Sequence, residues 1–355
     1  MRHPYVGLPD RQFWKKEPGV RCAEAPDPVY QPAFRIGRRD RIVTAGSCFA
    51  QHVAAYLSDA GFNHLITEKR HPMIDQGVAG LHNYGMFSAR YGNVYMTRQL
   101  KQLVQRAYGE FKPEAVAWQG RPGGVVDPFR PQIQPGGFLS EAELLFDRRY
   151  HLARVREALE QAEVFVFTLG LTECWADTRD GAVFPLAPGV AGGTYDTDLV
   201  AFRNFDEVET TADLLDALGM IRAVNPVVKF ILTVSPVPLN ATYEDRHVLL
   251  STTWSKAVLR IAAEKAVRAM PDCIYFPSYE VITAPHMRGR YYASDCREVE
   301  AAGVDHVMGL FFKHFTNVAA AAEPAGDVPE EDTHTSQMER VMDVLCDEVA
   351  IDNEP

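Results

Sequence analysis

The chain has 355 residues, 46% of them hydrophobic, with 36 Lys and Arg against 47 Asp and Glu and a formal charge of −11. That is enough apolar material for one large core, and the acidic balance excludes a surface built to gather phosphate backbones, so no nucleic acid partner is expected. Six cysteines, Cys22, Cys48, Cys174, Cys273, Cys296 and Cys346, are scattered without Cys-x-x-Cys pairs, a pattern of reduced thiols that implies neither a disulfide frame nor a metal.

Residues 1–39 are rich in Pro, Arg and aromatics without helical or strand periodicity, and read as an arm packing on the domain. Their first ten residues lack the apolar stretch of a signal peptide, and no run anywhere approaches a bilayer span. The expectation is a cytoplasmic protein without membrane insertion. Arg41 to Ala45 reads as a buried strand, and a helix follows from Phe49 to Ala60 with Phe49, Val53 and Leu57 at i, i+4 and i+8. An insertion is expected over about 62–138: an irregular polar stretch from His64 to Asn93, then a helix from Thr97 to Tyr108 carrying Leu100, Leu103 and Val104 on one face. Its last part, Gln119 to Gly137, is dense in Pro and Gly and reads as a loop at the surface or rim.

From Ser140 the α/β rhythm is clear. Ser140-Glu141-Ala142-Glu143 is a capping signal for a helix to about Ala162, and Val164 to Leu169 is a buried strand ending at Gly170. A helix over Asp206 to Val224 leads into a strand, Lys229 to Val234, that stops before Pro236. A long helix over Leu250 to Ala269, a short strand over Ile274 to Phe276 and a last helix over Val299 to Phe315 complete the domain, expected over 40–320. Residues 321–336 have linker composition, and 337–355 read as a short helix, Met338 to Val349, with a tail. Strands alternating with long helices predict an α/β fold, a parallel sheet with helices on both faces, and ligand sites in such sheets gather at the carboxyl ends of the strands.

Those ends carry the candidate chemistry. Gly46-Ser47-Cys48 turns a strand sharply into a helix, where unpaired N–H groups and the helix dipole favour an oxyanion beside a hydroxyl or thiol. The plainer alternative is that Ser47 caps the helix and Cys48 is a small core residue. Gly170-Leu171-Thr172-Glu173, Ser235-Pro236 and Pro277-Ser278-Tyr279-Glu280 reach the same rim, with Ser235 and Ser278 read as turn residues. Asp295-Cys296-Arg297-Glu298, before the last helix, is placed to send an acid or base back to Ser47.

The string Gly46-Ser47-Cys48-Phe49-Ala50 resembles the name-giving motif of the GSCFA family, which looks like a branch of the SGNH/GDSL hydrolase superfamily. The resemblance extends through Phe13-Trp14, Ser88 to Tyr95, Thr168 to Trp175, Ser235 to Leu239, Ser255-Lys256 and Tyr275 to Glu280, about residues 3–316. It implies a three-layer, flavodoxin-like α/β/α sandwich and an acyl-enzyme on Ser47, with Gly46 and Gly170 at the site. By the same resemblance the Ser47 N–H, Gly92 and Asn93 are candidates for the oxyanion. The superfamily's asparagine slot holds Thr172, and its Asp-x-x-His block reads Asp295 to Glu298, so the histidine slot holds Glu298. Histidine suits a base at neutral pH; His306 is the leading substitute, with His247 and His286 also considered.

Three readings follow. The first is a serine esterase or O-acyltransferase acting on acyl esters of small molecules or carbohydrates, acetyl esters foremost, without a cofactor: Ser47 as nucleophile, Asp295 with His306 or Glu298 as acid and base. The second is a non-catalytic protein that binds a glycan or a protein through the same pocket. The third is a thiol enzyme using Cys48, whose thiolate a helix N-terminus favours. Oligomeric state is not legible.

Overall fold

The computed structural model describes residues 3–16, 26–120, 123–317 and 350–351. The linker read over 321–336 and the helix read over Met338 to Val349 lie outside the described residues, as do Cys22 and Cys346. In chain order the elements are β1 (Ile42–Gly46), α1 (Phe49–Asp59), α2 (Gln76–Leu81), α3 (Thr97–Tyr108), β2 (Trp118–Gln119), β3 (Val125–Val126), α4 (Glu141–Gln161), β4 (Val164–Leu169), β5 (Glu173–Asp177), β6 (Val183–Phe184) and β7 (Val200–Asn204). They continue with α5 (Glu207–Val224), β8 (Lys229–Val234), α6 (Val248–Ala269), β9 (Cys273–Tyr275), α7 (Ser278–Thr283) and α8 (Ala301–Phe315).

The central sheet is parallel, in the order β1-β4-β8-β9, with Ala45 beside Phe167, Phe167 beside Leu232 and Leu232 beside Tyr275. Beyond β1 the edge continues as a single parallel bridge from Ile42 to His64. The chain therefore reverses direction across the sheet between β1 and β4, and their carboxyl ends flank the crevice that doubly wound sheets use for ligands. Helices cover both faces because side chains alternate along each strand. Val43, Ala45, Phe165, Phe167, Phe230 and Leu232 meet α3, α4, α5 and α6 on one face. Ile42, Val164, Val166 and Ile231 meet α1, α7 and α8 on the other.

Local chemistry starts the helices where it was read. The Ser140 side chain accepts from Glu143 N at 3.2 Å, and Asp206 forms a capping box with Glu209 ahead of α5. Two features differ from the sequence reading. The helix α3 is part of the main helical layer, with Leu100, Leu103, Val104 and Ala107 in the same core as Val43. The Pro- and Gly-rich stretch expected at the surface folds inward, burying Asp127, Phe129, Arg130 and Ile133. Ion pairs make that possible: Asp127 is held by Arg130 at 3.0 Å and Arg148 at 2.8 Å, so neither sign is buried alone. A second, antiparallel sheet, β6-β5-β7, rises from the rim after β4.

In the arm, residues 3–16 are mostly exposed, whereas Ile36 is buried and pairs with the end of α8 through Ile36 N to Phe315 O at 2.7 Å. Among the described residues no helix is long and apolar enough to cross a membrane.

Candidate active site

The turn between β1 and α1 is clamped from two sides. Gly46 has φ +144°, and a Cβ there would lie 2.4 Å from the Thr168 carbonyl oxygen, so glycine is required for β1 to close on β4. Val94 N donates to Gly46 O at 2.7 Å, and the Tyr91 hydroxyl donates to Thr44 O. Ser47 N donates to Thr168 O at 3.0 Å, so that N–H, expected in an oxyanion hole, serves instead to fix the turn.

Ser47 does not cap the helix. Its residue is 2% exposed, and among the described residues its Oγ has no hydrogen-bond partner. The N-cap residue is Cys48, which makes no side-chain cap bond, and Ser47 O accepts from Ala50 N at 2.8 Å to open the helix. A buried hydroxyl without a partner costs about 1–3 kcal/mol, so its retention here calls for a reason other than stability.

Ser47 lines a narrow pocket of about 10 Å³ with Cys48, Tyr95, Gly170, Leu171, Ser235, Val237, Pro238, Leu239 and Lys256. A Cβ on Gly170 would stand 3.0 Å from Ser47 Cβ, so the absent side chain lets the β4 end approach the Gly46-Ser47 turn. Gly170 N donates to Tyr95 O at 2.9 Å, and Gly170 O accepts from Lys256 Nζ at 2.7 Å. Lys256, only 2% exposed, comes from α6, and its neighbour Ser255 accepts from Thr172 N at 3.1 Å through Oγ. Two adjacent residues of one helix thus hold the 170–172 turn and place an amine in the pocket of the serine.

The other sequence candidates distribute around this pocket. The Thr172 hydroxyl donates to Asn204 Oδ1 at 2.7 Å, and Asn204 Nδ2 donates to Glu244 at 2.9 Å. Glu173 accepts from Thr242 Oγ1 at 2.7 Å and Tyr243 N at 3.2 Å, and burial raises its carboxyl above the usual range. Gly92, at φ +69°, and Asn93 line a neighbouring cavity with Tyr91 and Arg130. Asn93 Oδ1 accepts from Gln51 Nε2 at 3.0 Å, which ties the 92–95 segment to α1 behind Ser47.

Asp295 Oδ1 accepts from Arg297 N at 2.9 Å and Glu298 N at 3.1 Å, closing an exposed turn, and Glu298 is itself exposed. His306 Nδ1 meets the Tyr291 hydroxyl at 2.9 Å; burial lowers its pKa, with the field of Asp27 opposing. None of the three lines the Ser47 pocket. Their loop reaches the rim through Tyr292, whose hydroxyl donates to Pro236 O at 2.8 Å. The residue that does share the pocket, Lys256, entered the sequence reading only within a motif. Its signal was a lysine one turn from Leu259 on a face that also carries Ala263 and Ala266, a position where a helix normally buries apolar side chains.

An α/β protein with a buried serine, its Oγ without a partner among the described residues, on the turn after its first strand and at the reversal point of a parallel sheet has a doubly wound layout. The profile of the GSCFA family matches residues 41–311, from the first strand through most of the last helix, and the chain belongs to the GSCFA family. No curated protein matches it. Among solved structures it is similar to an acetyl xylan esterase (Est2A) from the rumen bacterium Butyrivibrio proteoclasticus, at 11% identity with a TM-score of 0.24. That match covers 70% of this chain and 56% of the other, so the chain spans little more than half of that protein's length.

Proposed function

We propose that the protein is a serine esterase or O-acyltransferase that forms an acyl intermediate on Ser47. The observation that carries this reading is the buried Oγ, without a partner among the described residues, on the wall of a pocket it shares with the amine of Lys256. Ser47 Oγ attacks the ester carbonyl and loses its proton to Lys256, and the alcohol leaves with a proton returned by the ammonium. Water or an acceptor hydroxyl then attacks the acyl-serine by the reverse route, releasing acid or a new ester. Lys256 replaces the base expected among Asp295, Glu298 and His306, as lysine does in Ser-Lys variants of the serine mechanism. The N-terminus of α1 supports the oxyanion through its dipole.

The narrow pocket beside Ser47, with free space for about one body of water's size, favours a small acyl group, acetyl foremost, with the alcohol part outside. Carbohydrate esters fit this arrangement because Trp175, Phe202 and Tyr243 cluster on the adjoining antiparallel sheet and loop, with Trp175 and Tyr243 ring centroids 4.7 Å apart. Cys48, Cys174, Cys273 and Cys296 are in no disulfide among the described residues, which accords with a cytoplasmic setting.

A non-catalytic binding role is the second reading, favoured by the position of Asp295, Glu298 and His306 outside the pocket. Cys48 lines the pocket too and sustains the thiol reading. Intact-mass spectrometry after exposure to a small fluorophosphonate tests all three, on wild type, Ser47→Ala, Cys48→Ala and Lys256→Met. An adduct lost in Ser47→Ala, retained in Cys48→Ala and slowed in Lys256→Met supports the esterase. Absence of any adduct on folded wild-type protein removes it.

A further inference from the structure

Away from the serine, the inward-folded stretch around Asp127 closes over a cluster of buried charges. Glu68 accepts from Arg90 N at 2.8 Å and from His151 Nδ1 at 2.7 Å. Asp147 takes Arg90 at 3.2 Å and Arg130 at 2.7 Å, and Asp127 takes Arg130 and Arg148. Arg106, from α3, stands beside them and is 9% exposed. Among the described residues no carboxylate lies within ion-pair distance of it, and its Nη2 is buried without a hydrogen-bond partner. Its guanidinium lies 3.9 Å from the centroid of the Phe129 ring, which covers one face and leaves the Nη2 donor, in the plane of the guanidinium, without a partner among the described residues.

Arg106 borders a cavity with Arg130, His151, Gln99, Gln102 and Tyr91. The space takes about two bodies of water's size. The glutamines are committed: Gln99 to Tyr95 N and Asn93 O, and Gln102 to Val183 N and Gly181 O. Arg130 spends its donors on Asp127, Asp147 and Arg90 O. Two wall atoms remain without partners among the described residues, Arg106 Nη2 and His151 Nε2.

The charge count says what belongs there. Arg90, Arg106, Arg130 and Arg148 face Glu68, Asp127 and Asp147, so the cluster carries one cation in excess with His151 neutral. Water would satisfy hydrogen bonds and leave that charge buried, which is the costly part.

We propose that this cavity binds a chloride-sized monovalent anion against Arg106, with one water donating to both the anion and His151 Nε2. His151 presents a lone pair at Nε2 because its Nδ1–H is donated to Glu68. The water has two protons, one for each neighbour, so every group on the wall is satisfied. Burial pushes the Arg106 guanidinium down to about 9 against the pull of Asp127, and an adjacent anion relieves that penalty. Sulfate and phosphate, with four oxygens about one centre, exceed the two water-sized bodies the space takes. Two wall residues link the site to the nucleophile turn: Tyr91 bonds Thr44 O, and Val94 bonds Gly46 O.

The test is thermal unfolding of the full chain in sodium chloride, bromide, sulfate or gluconate at matched ionic strength, on wild type and Arg106→Met. The expected result is an upward shift of Tm with chloride and bromide that grows with the logarithm of their concentration, no such shift with gluconate or sulfate, and loss of the difference in Arg106→Met. Should that variant fail to fold, crystals of the wild type grown in bromide decide. An anomalous peak in contact with Arg106 supports the site, and water alone beside Arg106 overturns it. Equal Tm values in halide and gluconate overturn it as well, as does halide dependence that survives in folded Arg106→Met.

Discussion

Replacing Ser47 by alanine separates a nucleophile from a cap by the sign of a stability change. A serine that caps a helix loses about 0.5–2 kcal/mol when cut to alanine. Here the hydroxyl is buried, without a partner among the described residues, on a residue 2% exposed, and an unsatisfied buried hydroxyl costs about 1–3 kcal/mol. The alanine methyl carries no such penalty and removes one atom beside a pocket already present. The lower end of the range applies, since a water in the pocket recovers part of the bond. Ser47→Ala is therefore expected to gain about 1 kcal/mol, a rise in Tm of roughly 2 °C for a domain of this size, while losing all acylation. Urea unfolding at neutral pH, run beside fluorophosphonate labelling on the same preparation, measures both. A loss of stability of about 0.5 kcal/mol or more would refute the argument, because it would mean that Oγ makes a bond that holds the turn.

Gly170→Ala is expected to fold with a loss of about 1–3 kcal/mol and to label slowly, because its Cβ would press on Ser47 Cβ and Tyr95 at 3.0 Å; denaturant midpoint and labelling rate check it. Lys256→Met strands the buried Gly170 carbonyl, costing about 1–3 kcal/mol, and is expected to slow labelling at least tenfold, whereas a purely structural lysine would leave the labelling rate of the folded variant unchanged. Acid should unfold the protein in two overlapping stages. Burial, helped by Arg130, lowers the His151 pKa, so the unfolded chain binds that proton more tightly and stability begins to fall as pH drops below about 6.5. Burial works to raise the Glu68 carboxyl, yet His151, Arg130 and the Arg90 N–H outweigh it and hold the group near 2. Its contribution is whole above about 4.5 and disappears as pH falls toward 2. Glu68→Gln should flatten the lower stage in a pH series of urea midpoints, and an unchanged profile would count against the buried cluster.

Periodicity and punctuation located the sheet and its helices. Val164 to Leu169 and Lys229 to Val234 are strands as read, α3 runs from Thr97 to Tyr108 as read, and Ser140 and Asp206 start helices as local capping chemistry requires. These signals are local: apolar spacing and hydrogen bonds within four residues need no knowledge of the rest of the chain. The Gly46-Ser47 turn was legible for the same reason, and with it the family. The short antiparallel sheet over Glu173 to Asn204 was not, because strands of two to five residues give too few alternations to stand out.

Which groups meet was decided by the tertiary structure. Lys256, 209 positions down the chain, lines one pocket with Ser47 because α6 packs beside the β4 end, and no spacing rule connects them. Asp295 and Glu298, close in sequence to a familiar block, turn outward because Asp295 spends its carboxylate on its own loop. The stretch around Asp127, loop-like by composition, is buried because Arg130 of the same stretch and Arg148 of the distant helix α4 neutralise it. Sequence by itself determined the elements and the serine, through short-range sterics and hydrogen bonds. The charge surroundings of that serine and of Arg106 exist only once distant segments share a low-dielectric interior.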